Sequence, residues 1–454
     1  MSLVHNLGDI YPKLPVPLQN LACSFQGWRV GRSRYNPAFF ELLGQFEGRT
    51  MWSPEAIREY RDQRLSSFVA RASVSVPYYR DLFGTSTNPV RIDGIDDLTD
   101  LPILDKTTVQ ERTADLRADV SDERQAVHTS GTTGGGLQFE ATRSAVREQW
   151  ATWWRYRRWH GIDIGTWCGY FGGRSVVSPE GNSPPFWRFN YPARQILFSA
   201  YHMSIDNMPH YLWSLRDRKP PWLHGYPSLL ALLAGYMVET GSDLGYQLRW
   251  ITLGAENVTA QQETLIRRAF GVKPLQHYGM AEAVANASEC DNGKLHVDED
   301  FSAFEIITRE DGVGRIVGTN FTNPAFPLIR YDVGDVAAFA ESRCSCGRPG
   351  RVLQGLDGRL EDYVLLRSGA RLGRLDHIFK NAVNVREAQI YQEEAGRVTF
   401  RVVRGPHYSS TDEQDLLREA QNRMGTDTNV QVEYVEALER AATGKLRLVV
   451  SRIP

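Results

Sequence analysis

The sequence predicts an α/β fold, in which a large layered body with a β subdomain is followed by a small, mobile α+β domain at the C-terminus. Three observations favour this class. From Val127 onward, short β-branched segments alternate with longer segments of helical periodicity, as in layered α/β proteins. Between Phe304 and Phe339 the segments shorten to strands separated by turn residues. After Arg359, fewer than a hundred residues follow a βαβ-like pattern.

The individual elements follow in order from periodicity and turn residues. A helical flank is expected over residues 1–120, with an amphipathic helix at 54–72 and a break at 85–89. The body is expected to contain a helix at 226–239, a buried strand at 248–253 and a helix at 260–269.

The last elements predict a separate C-terminal domain. Strands are expected at 304–308 and 314–318, inside a β subdomain of about residues 300–356. Beyond it, the predicted elements are a strand at 398–402, a helix at 412–424 and a strand at 430–434. The sequence therefore predicts two domains, 1–357 and 358–454.

Length and charge bound the classes of function. A chain of 454 residues with 42% apolar residues can bury two or more cores. Its formal net charge of −2 offers no broad cationic field, so a nucleic-acid partner is not expected. One local cluster, residues 153–159, interleaves tryptophans with arginines and can stack on bases or on an adenine ring. The favoured interpretation is a helix with an apolar stripe and with arginines at its edges.

The sequence also predicts the compartment. No segment has the roughly eighteen consecutive apolar residues of a membrane span, and the N-terminus lacks the pattern of a secretory signal. Five cysteines are too few for a disulfide scaffold in a chain of this length. We therefore expect a cytoplasmic protein without membrane insertion, and the sequence leaves a homodimer open.

The most distinctive segment spans residues 128–137, which read His-Thr-Ser-Gly-Thr-Thr-Gly-Gly-Gly-Leu. Backbone N–H groups of a glycine-rich turn can surround phosphate oxygens, and hydroxyls add further donors. The segment lacks the lysine of the P-loop, and taken alone it can also be a solvated turn. As a phosphate site it would use Thr129, Ser130, Gly131, Thr132, Thr133 and Gly134.

This loop resembles the phosphate loop of the AMP-forming adenylating enzymes, the superfamily of acyl-CoA synthetases and luciferases. Other motifs follow in that family's order. Gly254-Ala255-Glu256 is similar to its adenine-side turn. The segments 278–282 (Tyr-Gly-Met-Ala-Glu) and 330–335 (Arg-Tyr-Asp-Val-Gly-Asp) resemble its Y-G-x-[TA]-E and Y-R-x-G-D elements. The segment 358–362 resembles its hinge, and Gly444-Lys445 its C-terminal lysine motif.

Three further segments are similar to the phenylacetate-CoA ligase and capsule-biosynthesis branch of this superfamily, namely residues 18–22, 225–228 and 374–379. The resemblance implies that ATP activates a carboxylic acid to an acyl-adenylate with release of pyrophosphate. The acyl group then passes to the thiol of CoA or to an amine. The alternative is a homologue that binds a nucleotide and has lost catalysis.

The resemblance also implies roles for single residues. Glu282 would hold Mg²⁺, and Asp335 would accept the ribose hydroxyls. The rest of the ATP or AMP site would be formed by Gly254, Ala255, Glu256, Tyr278, Gly279 and Met280. The substrate pocket would be lined by Tyr170, His224, Gly225, Tyr226 and Ala281, with the identity of the acid left open.

Catalysis is expected to depend on the C-terminal domain, a lid that carries Lys445 to the carboxylate and the α-phosphate. Arg359 would contact ribose or phosphate. At the hinge this chain has Glu361 where the family usually has Asp or Lys, so the rotation that serves thioester formation stays open and an amine acceptor stays credible.

A metal site is predicted from four residues that form a complete tetrahedral set for Zn²⁺, namely Cys290, His296, Cys344 and Cys346. Cys344 and Cys346 lie in a turn that ends in glycine, which is typical of one half of a zinc knuckle. With four protein ligands the zinc would be structural. The alternative is a set of ordinary reduced thiols.

Overall fold

The computed structural model describes most of the chain. The described residues are 10–84, 88–129, 137–172, 174, 176–178, 183–200, 202–308, 314–359, 364–367, 371–372, 375–379, 382, 384–405, 407–425, 428–439 and 446–453, with the backbone alone at 357–359, 371, 376–377 and 422–423.

Helices dominate the first 160 residues and recur between the later strands. The α-helices are α1 (Val16–Arg34), α2 (Pro37–Arg49), α3 (Pro54–Ser75), α4 (Pro77–Phe83), α5 (Lys106–Glu111), α6 (Arg143–Trp159), α7 (Met208–Arg218), α8 (Pro227–Thr240), α9 (Ala260–Phe270) and α10 (Ser410–Met424).

Strands begin with a hairpin and continue to the C-terminus. They are β1 (Arg124–His128), β2 (Gln138–Thr142), β3 (Cys168–Phe171), β4 (Trp187–Asn190), β5 (Gln195–Phe198), β6 (Trp222–Gly225), β7 (Trp250–Leu253), β8 (Pro274–Gly279), β9 (Asn286–Glu289), β10 (Leu295–Val297), β11 (Ala303–Thr308), β12 (Gly314–Thr319), β13 (Tyr331–Phe339), β14 (Val352–Arg359), β15 (Val364–Leu365), β16 (Arg371–Leu372), β17 (Val385–Glu394), β18 (Arg397–Arg404), β19 (Asn429–Tyr434) and β20 (Val449–Ser451).

Local capping signals place the helix ends. The hydroxyl of Ser53 accepts the N–H of Ala56 at the start of α3. Thr259 and Gln262 form a capping box at the start of α9, which satisfies two otherwise free donors. Helix α9 ends at Gly271, whose φ of +72° is a conformation that glycine adopts without a Cβ clash. These signals are local, and the helices expected at 54–72, 226–239 and 260–269 are confirmed as α3, α8 and α9.

The described chain forms two compact units. Unit 1 comprises Met1–Arg32, Gly165–Leu275 and Leu360–Pro454, and unit 2 comprises Ser33–Ile164 and Gln276–Arg359. The mixed α/β class predicted from the sequence is confirmed. The division into domains 1–357 and 358–454 stays a prediction.

Unit 2 contains a sheet in the order β11-β12-β13-β14-β10-β9-β8, and each neighbouring pair is antiparallel. Its core joins α3 to this sheet through fully buried side chains such as Leu65, Phe304 and Phe326. The strands expected at 304–308 and 314–318 are confirmed as β11 and β12, because their alternating apolar residues face this core.

A buried ion network ties helices of unit 2 to the loop after β10. Arg155 on α6 is 4% exposed and forms ion pairs with Asp298 at 2.7 Å and with Asp300 at 2.8 Å. Arg49 on α2 also reaches Asp300, at 2.6 Å. The expectation that the arginines of residues 153–159 lie at the edges of an apolar stripe is therefore wrong for Arg155. Two carboxylates compensate its buried charge.

Unit 1 contains a sheet in the order β7-β6-β3-β5-β4, which is parallel except for the antiparallel edge strand β4. The adjacent core includes Phe171, Phe198, Leu223, Leu230 and Ile251. Strand β7 confirms the strand expected at 248–253, shortened at its start.

The C-terminal part of unit 1 has its own sheet in the order β19-β18-β17-β20. Strands β17 and β18 form an antiparallel hairpin, and the outer strands β19 and β20 pair with them in parallel. Helix α10 packs on it through Leu416, Ala420 and Met424. The strand, helix and strand expected at 398–402, 412–424 and 430–434 are confirmed here.

Candidate functional site

Unit 1 brings several predicted site residues to one edge of its sheet. Strands β3, β6 and β7 are parallel neighbours, so their carboxyl ends share that edge, where α/β proteins commonly bind ligands. Tyr170, His224 and Thr252 are register partners across the three strands. Gly225 ends β6, and Tyr226 and the segment 254–256 follow β6 and β7 directly. The unit 1 residues predicted for the acyl pocket and for the adenine-side turn therefore lie at the same edge of the sheet.

Thr252 fixes the orientation of the His224 ring. The indole N–H of Trp222 donates to the hydroxyl of Thr252 at 2.8 Å. Nδ1 of His224 lies 2.8 Å from the same hydroxyl and 3.2 Å from the backbone carbonyl of Thr252. Both contacts are made at Nδ1, so they hold the imidazole near the carboxyl end of β6.

Glu256 links the turn after β7 to two backbone donors. Its carboxylate accepts the N–H of Ser228, in the first turn of α8, at 3.1 Å, and the N–H of Leu446 at 2.9 Å. The preceding residue, Ala255, has a φ of +68°, which a residue with a Cβ adopts at a cost. Left-handed non-glycine residues are enriched at functional turns, and the role of 254–256 beside adenine stays a prediction.

The C-terminal part of unit 1 also contacts α8 and α9. The guanidinium of Arg386 on β17 pairs with Glu239 of α8, with 3.2 Å between Nε and Oε1. The side-chain amide of Gln261 on α9 donates to the carbonyl of Ala382 at 2.6 Å. Sequence reasoning missed both contacts, because they join residues more than 120 positions apart.

Unit 2 joins two predicted nucleotide-binding residues that are 57 positions apart. The phenol of Tyr278, at the end of β8, donates to the carboxylate of Asp335 on β13 at 2.7 Å. Arg359 is the register partner of Asp335 across β13 and β14. The backbone therefore brings Asp335 and Arg359 side by side.

The turn that follows β8 carries Glu282. The carbonyl of Met280 accepts the side-chain amide of Gln149 at 2.9 Å, and Ala283 has a φ of +59°. A Cβ at Gly279 would lie 2.5 Å from the amide oxygen of Asn286, so this position requires glycine. The turn thus places Glu282 and Ala281 beyond the carboxyl end of β8.

Behind this turn lies a residue that sequence reasoning missed. His277 donates from Nε2 to Asn286 at 3.0 Å, and the indole N–H of Trp153 donates to the same oxygen at 3.2 Å. Shielding from water, together with the charge of Arg157, lowers the pKa of His277 to about 3. The imidazole is therefore neutral next to Tyr278.

Other predicted residues fall partly or wholly outside the described chain. Thr129 closes the hairpin of β1 and β2, since its hydroxyl accepts the N–H of Leu137 at 2.8 Å. Ser130, Gly131, Thr132, Thr133 and Gly134 lie outside the described residues, as do Glu361 and Lys445.

Four predicted metal ligands of unit 2 come together. The ligand atoms of Cys290, His296, Cys344 and Cys346 all lie within 4.8 Å of one another. The sulfurs of Cys290 and Cys344 are 3.8 Å apart, and the sulfur of Cys346 lies 3.3 Å from Nε2 of His296. A tetrahedral zinc with bonds of about 2.3 Å to sulfur sets two thiolates about 3.8 Å apart.

The surroundings of His296 also suit a metal ligand. Its Nδ1 lies 3.3 Å from the carbonyl of Pro349, so the proton stays on Nδ1 and Nε2 is left to bind. Burial lowers the pKa of His296, and the imidazole is neutral, as a ligand must be.

Comparison with known proteins shows which proteins the chain is similar to. Residues 367–452 match the model of the CapK C-terminal domain. Protein CapK of Staphylococcus aureus is 22% identical over 457 residues, which cover 98% of this chain and 100% of that protein. A phenylacetate-coenzyme A ligase of Thermus thermophilus is 25% identical over 328 residues, which cover 69% of this chain and 72% of the relative.

The fold has a solved counterpart. The crystal structure of 2-hydroxyisobutyryl-CoA ligase in the postadenylation state matches with a TM-score of 0.66 and 18% identity, over 89% of this chain and 91% of that one. The near full-length homology to CapK, the homology to phenylacetate-CoA ligases and this shared fold support one another. The chain is therefore similar in sequence to protein CapK and to phenylacetate-coenzyme A ligases, and it shares the fold of a CoA ligase.

Proposed function

We propose that the protein is an ATP-dependent ligase that activates a carboxylic acid and then transfers the acyl group to CoA or to an amine. The observation that carries the proposal is the hydrogen bond between Tyr278 and Asp335, which joins the two motifs of unit 2 that the sequence predicts to bind the nucleotide. The relatives support it, since phenylacetate-coenzyme A ligase is among them and the solved structure with a TM-score of 0.66 holds an acyl-AMP.

In the first half-reaction, a carboxylate oxygen attacks the α-phosphorus of ATP. The bond from that phosphorus to the bridging oxygen breaks, and pyrophosphate leaves. In the second, the thiol or amine attacks the acyl carbon, AMP leaves, and the attacking group loses its proton. The protein has to position the reactants and to neutralise charge on the phosphate oxygens.

We assign the nucleotide contacts within unit 2 to Asp335, Tyr278, Arg359 and Thr129. The carboxylate of Asp335 would accept the ribose hydroxyls while Tyr278 orients it. Arg359, beside Asp335 in the sheet, would contact ribose or phosphate. Thr129, at the neck of the glycine-rich hairpin, would begin the phosphate loop.

For Mg²⁺, the proposed ligand is Glu282, whose carboxylate is a hard oxygen donor in the turn after β8. The ion would supply charge neutralisation on the phosphate oxygens. Lys445 would add a second positive charge at the α-phosphate and would orient the acid. Both assignments follow from the motifs.

In unit 1, the edge formed by β3, β6 and β7 would bind the acid. The imidazole of His224 is suited to a hydrogen bond with a polar group on the acid, and the aromatic ring of Tyr170 lies 5.6 Å from it. The cationic side chain of Arg174 lies 5.0 Å from the ring of Tyr170. These three side chains favour a substrate acid that carries a polar substituent.

We further propose that Cys290, His296, Cys344 and Cys346 hold a structural zinc. Their spacing suits a tetrahedral ion, and the sulfur separation of 3.8 Å excludes a disulfide between Cys290 and Cys344. All four positions would be taken by protein, so the ion would stabilise unit 2 and would not take part in the reaction.

A pyrophosphate-release assay tests the enzyme. It is run over a panel of carboxylic acids with and without polar substituents, for the unaltered protein and for Lys445→Ala. Release that the substitution abolishes supports the proposal, and CoA is then compared with amines as acceptor. A protein that binds ATP but releases no pyrophosphate with any acid is a nucleotide-binding homologue, and the proposal is then wrong.

A further inference from the structure

Helix α1 is inverted in part, because its buried face is formed by polar residues and a glycine while four of its large apolar residues are exposed. Its buried residues are Gln19, Ser24 and Gly27. Its exposed apolar residues, with their exposed fractions, are Leu18 (46%), Leu21 (63%), Phe25 (64%) and Trp28 (48%). Most helices of globular proteins show the opposite arrangement.

The inward polar face has a specific cause, because α1 covers the edge strand β4. The side chain of Asn20 accepts the N–H of Phe189 at 2.9 Å. The hydroxyl of Ser24 donates to the carbonyl of Phe189 at 3.2 Å and accepts the N–H of Tyr191 at 3.2 Å. An uncovered edge strand offers unpaired backbone groups, and these side chains satisfy them.

Close approach fixes the orientation of the helix. A Cβ at Gly27 would lie 1.9 Å from the amide oxygen of Asn190 on β4, so only glycine fits. The side chain of Gln19 accepts the guanidinium of Arg188 at 2.5 Å. Because this face of α1 packs against β4, the apolar residues on its other side point to solvent.

The exposed residues form one continuous stripe, because Leu18, Leu21, Phe25 and Trp28 are three or four positions apart. The rings of Phe25 and Trp28 stack with centroids 5.9 Å apart. Arg32, one turn further, places its guanidinium 5.7 Å from the ring of Trp28. The stripe thus ends in a positive charge.

The segment around α1 carries only positive charge. Residues 10–40 contain no Asp or Glu, and their cationic residues are Lys13, Arg29, Arg32 and Arg34. Lys13, Arg29 and Arg32 are exposed. The chain as a whole has a net charge of −2, so the positive charge is a local feature.

We propose that α1 docks the protein on an anionic lipid surface. The helix lies in the plane of the bilayer, with Leu18, Leu21, Phe25 and Trp28 at the boundary between headgroups and acyl chains. The arginines contact lipid phosphates, because the negative potential of such a surface attracts nearby cations. Within the described residues no helix is both long and apolar enough to cross a membrane.

A second copy of the chain fits this face less well. Stable protein interfaces use about 20–30 residues a side, whereas the stripe has four apolar residues. A two-fold axis on α1 would also bring Arg29 and Arg32 against their own copies, with no acidic residue of the helix to pair with them.

Vesicle co-sedimentation tests the proposal. The full chain is mixed with vesicles of phosphatidylcholine alone or with about 30 mol% phosphatidylglycerol added, at low and high salt. We expect binding to the anionic vesicles that weakens with salt. The variants Leu21→Ser/Phe25→Ser and Arg29→Glu/Arg32→Glu should each bind at least about tenfold more weakly, since they remove apolar contact or charge. All four positions are exposed, so the fold should persist.

The matched control is Trp213→Ser, which removes an exposed aromatic residue (60% exposed) from α7 and should leave vesicle binding unchanged. Sedimentation with neither type of vesicle overturns the proposal. So does a dimer, detected by light scattering, that Leu21→Ser/Phe25→Ser converts to a monomer, because the occupant of the stripe is then a second copy. Neither readout depends on ligase activity.

Discussion

Arg386 and Glu239 form a bidentate ion pair, with side chains that are 11% and 18% exposed. Arg386 lies on β17 in the C-terminal part of unit 1, and Glu239 lies near the end of α8. This pair fastens the C-terminal part to the end of α8, and the hydrogen bond from Leu446 to Glu256 fastens it to the turn after β7. A shielded pair of this geometry contributes more than an exposed one.

The first prediction concerns this fastening. Arg386→Glu places two carboxylates face to face and should lower the rate of acid-dependent pyrophosphate release at least about tenfold, because the C-terminal part loses its position. The exchanged pair Glu239→Arg/Arg386→Glu should restore most of the rate, which a double-mutant cycle measures as a coupling energy of about 1 kcal/mol or more.

Arg401→Glu provides the control for the charge change. It breaks the pair between Arg401 and Glu433, which lies within the C-terminal sheet. Its rate should stay near that of the unaltered protein. If the exchanged pair is no more active than Arg386→Glu alone, the ion pair does not hold the C-terminal part for catalysis.

The second prediction concerns the nucleotide. Asp335→Asn should weaken ATP binding by about 1.5–3 kcal/mol, since a hydrogen bond to a charged acceptor is lost. Tyr278→Phe removes only the phenol that donates to Asp335 and should have a smaller effect. Calorimetric titration with ATP measures both. Equal affinities for all three proteins would remove Asp335 from the site.

The third prediction concerns the zinc. The purified protein should contain about one zinc per chain, and Cys344→Ser should lose it and melt at least about 5 °C lower, because metal-binding energy is folding energy. Cys23→Ser is the control, since Cys23 lies outside the cluster. Elemental analysis and thermal melting measure the two effects. If the unaltered protein, purified without chelator, holds no zinc, the three cysteines are ordinary reduced thiols and the zinc proposal is wrong.

The sequence predicts most of the described elements because their causes are local. The capping box at Thr259 and the glycine at 271 bound α9 within one residue of the expected helix. The zinc ligands were also predicted, although His296 and Cys346 are 50 positions apart, because the residue types alone make a complete ligand set.

The remaining features depend on contacts that no local pattern contains. Arg386 and Glu239 are 147 positions apart and belong to residue types that are common on surfaces. Burial of Arg155 requires the carboxylates of Asp298 and Asp300, which approach it only in the folded chain. The inversion of α1 arises because the helix covers β4, and no local sequence pattern marks β4 as an edge strand.

The fourth prediction is a pH dependence of stability that comes from His277. Its pKa is about 3 in the folded protein and about 6.5 in the unfolded chain. Between these values the unfolded chain binds a proton that the folded protein does not bind, so the free energy of unfolding falls as the pH falls. Between pH 7 and pH 5 this amounts to about 2 kcal/mol.

The test compares two variants by denaturant unfolding at pH 7 and pH 5. His277→Gln keeps an amide donor for Asn286 but cannot titrate, and it should lose about 2 kcal/mol less than the unaltered protein over this range. His210→Gln, at an exposed histidine, should lose as much as the unaltered protein. If His277→Gln shows the same acid sensitivity as the unaltered protein, His277 is not held neutral by the fold, and the hydrogen bond from its Nε2 to Asn286 has to be assigned to the charged imidazolium.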